Sequence, residues 1–275
     1  MAIEQTVAQH YTHGSLEAAL LDGLRQSGKN ADRIDPDDLA PADEFHIGGR
    51  PATVEFADHL GPRPGMELLD IGSGLGGPAR YFAHHRQCRV TGIDLTDEYV
   101  RVAGVLSKRA GLAHSLKFVQ GSALSLPFPG GSFDGAYMLH VGMNIDDKAT
   151  LFGQVKRVLR PGGVFGVYDV MRIGAGELAF PVPWARTAES SFVAAVDDYR
   201  RLLRDAGFTL QKERERHAFA IEFFKKMQTR VAERGLPPLG LHIVMGADFP
   251  HKIRNLVANL EAGLLAPIEM ICRAT

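Results

Sequence analysis

Apolar and polar residues alternate through the middle of the chain in a way typical of buried strands separated by amphipathic helices. Short apolar runs predict strands over residues 67–71, 89–94, 116–120, 133–139 and 164–169. Apolar residues at helical spacing predict helices over residues 78–85, 97–110 and 148–159. Strands that alternate with helices of this length indicate βαβ units and a parallel sheet with right-handed crossovers.

The pattern changes on both sides of this alternating core. Before it, Leu16, Leu20 and Leu24 lie at helical spacing, so residues 1–60 are expected to form a helical cover around the core of residues 61–170. After it, residues 171–275 begin with a proline- and glycine-rich lid over 174–184. They continue with a helix over 196–206, amphipathic helices over 221–262, and two strands over 208–216 and 266–273. These two strands would pair closely and add an antiparallel strand to the same sheet.

Composition narrows the class of protein. The chain has 275 residues, of which 45% are hydrophobic and 23% charged, as in an ordinary globular protein. Its formal net charge of −1 gives no electrostatic reason to expect nucleic acid or an anionic membrane as a partner. No apolar run approaches the roughly 18 residues of a membrane span, and no secretory signal is visible. We therefore expect a cytoplasmic protein that binds neither nucleic acid nor membrane.

Cysteine and histidine usage gives no sign of a metal site. The two cysteines, Cys88 and Cys272, lie far apart among apolar neighbours, so we expect buried free thiols. The 11 histidines show no metal-ligand spacing. The sequence therefore predicts no metal.

A glycine-rich turn follows the first predicted strand. Gly72, Gly74 and Gly77 satisfy the G-x-G-x-x-G spacing, which is by itself a weak sign of nucleotide binding. Asp70 lies two residues before the first of these glycines. A carboxylate there would repel the pyrophosphate of a dinucleotide. It suits a cationic group instead, such as the ammonium or sulfonium of S-adenosylmethionine (SAM), so the turn favours SAM over NAD.

Two further turns lie where the rest of such a cofactor would bind. Asp94 ends the second strand, 20 residues after Gly74, where a carboxylate can accept hydrogen bonds from ribose hydroxyls. It could instead serve as a cap for the next helix. The small residues after the third strand, Ser122, Ala123 and Leu124, could border adenine or form a plain connecting turn.

Four motifs then lie in order between residues 65 and 170. They are Asp70-Ile71-Gly72-Ser73-Gly74-Leu75-Gly76-Gly77, then Asp94, then Leu126-Pro127-Phe128 with Ser132-Phe133-Asp134, and finally Leu159-Arg160-Pro161-Gly162-Gly163. Together they resemble class I SAM-dependent methyltransferases of the type 11 kind.

This resemblance implies an α/β fold with a Rossmann-like, seven-stranded, mostly parallel sheet that has helices on both faces, an N-terminal helical cover and an inserted lid. It implies SAM as cofactor and S-adenosylhomocysteine (SAH) as product. The cofactor-binding positions that it implies in the core are Asp70, Gly72, Ser73, Gly74, Asp94, Leu95, Ser122, Ala123, Leu124 and Leu139. Ser122 stands where the family commonly has aspartate or asparagine.

A narrower resemblance covers more of the chain. The segments 43–53, 74–81 and 139–145 look like the methyltransferases of small amines, whose familiar members act on sarcosine, dimethylglycine and phosphoethanolamine. It implies that Phe45, His46 and Ile47 cover the cofactor. It also implies that Tyr11 closes over the site and pairs with His140, which would act as the base that deprotonates an ammonium acceptor.

One departure from that subgroup concerns the acceptor. Gly135 and Ala136 stand where the phosphobase enzymes have an acidic residue just upstream of the histidine, which argues against ethanolamine phosphate. The candidate substrate-binding residues are Tyr168, Asp169, Arg172 and Trp184. For Asp169 the alternative is a turn cap, for Arg172 a solvent-exposed side chain, and for Trp184 a contact that fixes the lid to the core.

The sequence thus predicts methyl transfer from SAM to a small-molecule acceptor, with an amine nitrogen as the first choice. The alternatives are O- or C-methylation of a small hydroxylated or lipid-like metabolite, and a SAM-binding protein without catalysis. Phe223, Phe224 and Met227 are expected in the core. The apolar helices near 221–262 could form a homodimer face or a cap.

Overall fold

One seven-stranded sheet organises the molecule in the computed structural model, which describes residues 3–12 and 14–275. Its strands are β1 (Glu67–Ile71), β2 (Arg89–Asp94), β3 (Leu116–Gln120), β4 (Phe133–Leu139), β5 (Leu159–Arg172), β6 (Phe208–Glu215) and β7 (Leu265–Ala274). They lie in the order β3-β2-β1-β4-β5-β7-β6, and β7 pairs antiparallel with both of its neighbours. The predicted fold, including its antiparallel strand, is confirmed.

Eleven α-helices are described around this sheet. Before it lie α1 (Ile3–Tyr11), α2 (Leu16–Gln26), α3 (Ala40–Asp43) and α4 (Gly49–Leu60). Between the strands lie α5 (Gly77–Arg86), α6 (Asp97–Arg109), α7 (Lys148–Val158) and α8 (Val196–Asp205). The helices α9 (His217–Arg234), α10 (Leu241–Met245) and α11 (Phe249–Glu261) separate β6 from β7. These two strands are therefore paired but do not form the close hairpin that the sequence suggested.

The strand order reverses between β1 and β4, and this fixes where a ligand can bind. The chain leaves β1 toward β2 on one side, while β4 pairs with β1 on the other, with Leu69 beside Ala136. Crossovers that run in opposite directions leave a crevice at the carboxyl ends of these two strands, and this is where open α/β sheets bind ligands. Asp70 and His140 both lie at this edge.

Two smaller apolar clusters hold the cover and the lid over that crevice. In the cover, Leu20 and Leu24 are fully buried in a cluster with Val102 of α6. In the lid region, Trp184 lies in a cluster with Leu260 and residues of β5 and β7. A fully buried leucine contributes about 1.5–3 kcal/mol, so both layers are anchored by packing on the sheet and its helices.

Two other observations bear on the sequence-based expectations. Cys88 and Cys272 are buried free thiols, and burial raises the pKa of the Cys88 thiol to about 11. None of the helices among the described residues has both the length and the apolar character needed to cross a bilayer. The division into a cover, a core and a lid at residues 60 and 170 stays a prediction.

Candidate active site

The glycine-rich turn has a backbone that other residues cannot easily adopt. Gly72 and Gly74 have φ values of 66° and 51°. A Cβ added to Gly72 would lie 2.5 Å from a methyl carbon of Val141, so the position excludes a side chain on steric grounds as well. The backbone N–H groups of Gly72 and Ser73 donate to the Ile93 carbonyl at 2.8 and 3.0 Å, which fixes the turn against β2.

A cavity of about 300 Å³ lies over this turn, and we call it the turn cavity. Most of the predicted cofactor residues line it: Phe45, His46, Asp70, Gly72, Ser73, Gly74, Asp94, Leu95, Ala123, Leu124 and Leu139. Two do not. Ile47 lines a different cavity, and the Ser122 hydroxyl bonds to Glu4 and to the Leu124 N–H instead.

Unpartnered carboxylate oxygens give this cavity a preference for cations. Asp70 is buried, and its Oδ2 makes no hydrogen bond of normal geometry within the described chain, although the neighbouring Tyr137 hydroxyl partly offsets the effect of burial on its pKa. Burial raises the pKa of Asp70 well above its ordinary value, because the charged form loses its hydration. A cationic ligand group would restore that charge. The ammonium of SAM fits this position.

Asp43 adds a second carboxylate that the sequence analysis missed. It lines the turn cavity, its Oδ2 accepts from Arg80 Nη2 at 2.6 Å, and its buried Oδ1 has no partner within residues 3–12 and 14–275. Its backbone also lies so close to Gly77 that a Cβ there would be 2.3 Å from the Asp43 carbonyl oxygen. Asp43 is recognised as a cavity residue only from the close approach of α3 to the glycine turn. No local sequence pattern encodes that approach.

The Asp94 carboxylate bonds to backbone on both sides of the crevice edge, and its role as a ribose ligand stays a prediction. Its Oδ2 accepts from the Gly74 N–H at 2.8 Å and its Oδ1 accepts from the Thr96 N–H at 2.9 Å. The carboxylate therefore caps the backbone before α6 and also fixes the glycine turn. Each oxygen keeps a further lone pair that can accept a ribose hydroxyl.

A second and larger cavity, of about 980 Å³, adjoins the first. We call it the apolar cavity. The residues that line both cavities are Tyr11, Phe45, His46 and His140. These four side chains form the wall where a methyl donor in one cavity would face an acceptor in the other.

The lining of the apolar cavity explains its name. Its apolar side chains come from the turn after β4, the loop before α8, α9 and the segments around α10 and α11. They include Met143, Trp184, Phe219, Phe223, Phe224, Met227, Leu236, Leu241, Met245 and Phe249. The sequence placed Phe223, Phe224 and Met227 in the core, and they pack there on one side while lining this cavity on the other. Trp184 lines it too, and its indole N–H donates to Ser191 Oγ at 3.0 Å.

His140 lies in the shared wall with both ring nitrogens engaged. Its Nδ1 lies 3.1 Å from the Tyr168 carbonyl oxygen, and its Nε2 accepts from the Ile47 N–H at 3.2 Å. Burial, helped by the neighbouring His46, lowers the pKa of His140 to about 3. The imidazole is neutral, and its one lone pair is already used.

Tyr11 reaches the same wall but does not pair with His140. Its hydroxyl donates to Asn144 Oδ1 at 3.2 Å, and its ring packs against Phe45 and Tyr99. The structure thus brings Tyr11 and His140 to one surface, but each has a different hydrogen-bond partner, so the predicted pairing of the two side chains is not present.

Three of the four predicted substrate residues line neither cavity. The Tyr168 hydroxyl donates to the Ile47 carbonyl at 3.0 Å. The Asp169 carboxylate accepts from the Val141 and Gly142 N–H groups, so it holds the turn after β4, which was the alternative role.

The third of these residues, Arg172, bonds to backbone near its own strand. Its guanidinium donates to the Gly174 and Gly176 carbonyls at 3.0 and 2.8 Å. Trp184 alone of the four faces a cavity. No cluster of three or more metal-ligating side chains occurs in the part of the chain that the structure describes.

Comparison with known proteins bears on this geometry. Residues 69–167 match the family model described as "Methyltransferase domain". That segment carries the glycine turn, Asp94 and the strands that position them. Residues 69–167 form a class I SAM-dependent methyltransferase domain. The predicted family is confirmed for this segment, and the cofactor of this domain is SAM.

Among curated proteins, the methyltransferase domain is similar to sterol 24-C-methyltransferase ERG6B of Gibberella zeae, with 40% identity over 114 residues. The match covers 42% of this chain and 30% of that protein. The chain therefore spans about a third of the length of the relative it matches.

Two solved structures share the fold over nearly the whole chain. The [4+2]-cyclase SpnF has a TM-score of 0.73 and 22% identity, covering 98% of this chain and 96% of that one. Phosphoethanolamine N-methyltransferase 2 of Haemonchus contortus has a TM-score of 0.74 and 16% identity, covering 100% of this chain and 60% of that one. Proteins named for different reactions thus share this fold, so the fold alone does not determine the acceptor, whereas the lining of the apolar cavity restricts it.

Proposed function

We propose that this protein transfers a methyl group from SAM to an electron-rich carbon of a lipid-like acceptor bound in the apolar cavity. This was the alternative in the sequence analysis, where an amine nitrogen was preferred. The observation that carries the proposal is the apolar cavity itself, which adjoins the cofactor site through a wall of Tyr11, Phe45, His46 and His140.

Cofactor binding follows from the charges in the turn cavity. Asp70 and Asp43 would hold the ammonium with their unpartnered oxygens, and Asp94 would hold the ribose. When bound there, SAM supplies an electrophilic methyl group on its sulfonium. The chain's own contribution is then to align the acceptor with that methyl group and to exclude water.

The state of the shared wall favours a carbon acceptor over an ammonium. An ammonium must lose its proton before its nitrogen can attack, so it needs a base. His140 is neutral but has both ring nitrogens bonded to backbone, and its low pKa makes it a weak base. An electron-rich alkene carbon can attack with no proton removed beforehand: the new C–C bond forms as the S–C bond of SAM breaks, which leaves SAH and a carbocation. That carbocation then loses a proton to a base, and Glu44 is a carboxylate on the wall of the apolar cavity. His140 would then position Ile47 and Tyr168 in the wall rather than deprotonate an acceptor.

The charges that line the apolar cavity also favour a carbon acceptor over a cationic amine. A cationic amine would need an uncompensated carboxylate, but Glu44, which lines this cavity, already accepts from Arg50 Nε at 2.5 Å and from the Thr53 hydroxyl at 2.6 Å. Phe223, Trp184 and Met227 offer area rather than charge. The relative from Gibberella zeae is named a sterol 24-C-methyltransferase, which is a methyltransferase that acts on carbon, and this supports the same choice.

Labelled methyl transfer tests the proposal. SAM with a labelled methyl group is incubated with the protein and with three matched acceptor sets: apolar alkenes including sterols and prenyl compounds, small amines, and phenols. The expected label is in the alkene set. Label confined to the amines would return the function to N-methylation. If calorimetry found no binding of SAM or SAH, the enzyme proposal would be abandoned.

The remaining sequence-based expectations concern the setting of the protein. A cytoplasmic location, a homodimer and the absence of nucleic-acid or membrane partners stay predictions. A small-molecule acceptor is consistent with both cavities and is part of the proposal.

A further inference from the structure

Helix α9 presents two different rows of side chains to the apolar cavity. The residues of α9 that line it recur every three or four positions, which is one face of a helix. The apolar row is Phe219, Phe223, Met227 and Val231, and the charged row is Glu222, Lys226, Arg230 and Arg234. The face is therefore amphipathic along its length, although it borders a cavity whose other walls are mainly apolar.

Two cations in the charged row have no counter-ion. Lys226 pairs with Glu222 at 3.3 Å. Arg230 and Arg234, one helical turn apart, make no salt bridge with any described residue. Arg50, also on the cavity wall, is already paired with Asp37 and Glu44. Two unpaired guanidiniums are thus available to an anion that lies partly in the cavity.

The two arginines lie far along α9 from the wall that separates the two cavities. The Phe219 ring packs against Gly48, since a Cβ there would lie 2.5 Å from Phe219 Cε1. Gly48 follows Ile47, whose N–H bonds to His140 in the shared wall. At 1.5 Å per residue, Arg230 and Arg234 lie about 16 and 22 Å along the helix from Phe219. The cations are therefore at the end of α9 that is remote from the wall.

We propose that the acceptor is an amphipathic anion, with an apolar body in the cavity and a phosphate, sulfate or carboxylate group bound by Arg230 and Arg234. This rests on the acceptor cavity proposed above and makes it specific, because an uncharged lipid would leave both guanidiniums unused. Arginine pairs bind such oxyanions in a bidentate way. The anionic end fixes how far the acceptor enters, so it places one carbon of the body at the wall.

The single tryptophan of the chain, Trp184, lies in the wall of this cavity and can report on binding. The probes are dodecyl phosphate and dodecanol, which share one alkyl chain, titrated below their micelle-forming concentrations while Trp184 emission is followed. The expected result is that dodecyl phosphate binds about tenfold more tightly than dodecanol, as two exposed ion pairs would give.

Matched variants locate the effect. The double variant Arg230→Gln/Arg234→Gln should lose the preference for the phosphate while its affinity for dodecanol is kept. Lys225→Gln removes the same charge from the same helix, but Lys225 does not line the cavity, so it should behave as the wild type. Both arginines are exposed, and circular dichroism of the double variant checks that α9 is retained.

Several results would overturn the proposal. Equal binding of the two probes by the wild type would do so, as would an equal loss of preference in Lys225→Gln. Phosphate preference seen only with phosphatidylglycerol vesicles and not with dodecyl phosphate would assign the arginines to a membrane surface instead. If dodecanol binds and only the preference is absent, the apolar acceptor cavity stands. If neither probe binds, the cavity proposal fails as well.

Discussion

The turn cavity and the apolar cavity share a wall but are built in different ways. The floor of the turn cavity is a contiguous glycine turn with Asp70 at its start, and backbone geometry determines its shape. The apolar cavity is assembled from side chains that lie far apart in the chain, from Tyr11 to Leu256. Short-range sequence thus determines the floor of the cofactor end, and tertiary packing determines the acceptor end.

Removing the charge of Asp70 should have the largest effect on the cofactor end. Asp70→Asn keeps the shape but removes the anion that would meet the ammonium, so we expect SAM affinity to fall by about a hundredfold, as for a lost charged hydrogen bond. Calorimetry with SAH and SAM measures it. Asp205→Asn on the exposed surface of α8 is the control. An affinity within threefold of the wild type would remove Asp70 from the cofactor site.

The second-largest effect is expected from a change in the backbone of the glycine turn. Gly72→Ala forces a side chain at φ 66° and 2.5 Å from Val141, which should destabilise the fold by about 1–3 kcal/mol and weaken SAM binding. Denaturant unfolding measures it. The matched control is Gly104→Ala within α6, where a Cβ meets nothing within 4 Å and alanine should stabilise the helix by about 0.5–1 kcal/mol. Equal effects of the two substitutions would refute a steric role for the turn.

A substitution in the apolar cavity should weaken acceptor binding without changing SAM binding. Phe223→Ala removes a ring from the wall of the apolar cavity, so apolar ligands should bind about tenfold more weakly, while SAM affinity stays unchanged. Dodecanol titration and SAM calorimetry on one protein sample measure both quantities. Leu210→Ala, on the exposed part of β6, should change neither. A parallel loss of SAM affinity would mean that the two cavities are not independent.

Sequence reasoning succeeded where function is local. The bounds of β1 to β4, the antiparallel β7, and the glycine turn and strand-end residues that line the turn cavity follow from apolar runs, glycine spacing and strand ends. It failed where partners come from elsewhere in the chain. The side chain of Asp169 is taken up by the turn after β4, and Arg172 by nearby carbonyls. Asp43 and the cavity face of α9 depend on how distant helices pack, and no local pattern encodes that.

The smallest expected effect concerns pH. Burial raises the pKa of Asp70, and SAM binding needs its carboxylate, so SAM affinity should fall as pH drops through that raised pKa. Asp70→Asn should weaken this dependence and leave only the part that comes from Asp43, whose pKa burial also raises. The pKa of His140, lowered to about 3, lies below the working range. Turnover should therefore show no limb near the ordinary histidine pKa of about 6.5. Such a limb, lost in His140→Asn, would restore His140 as a base.

The atom that receives the methyl group tests the account most directly. Product formed from SAM with a ¹³C-labelled methyl group can be analysed by NMR, since methyl carbons bound to carbon, nitrogen and oxygen resonate in separate regions. We predict a carbon-bound methyl on an apolar acceptor. A methyl bound to nitrogen or oxygen would contradict the account.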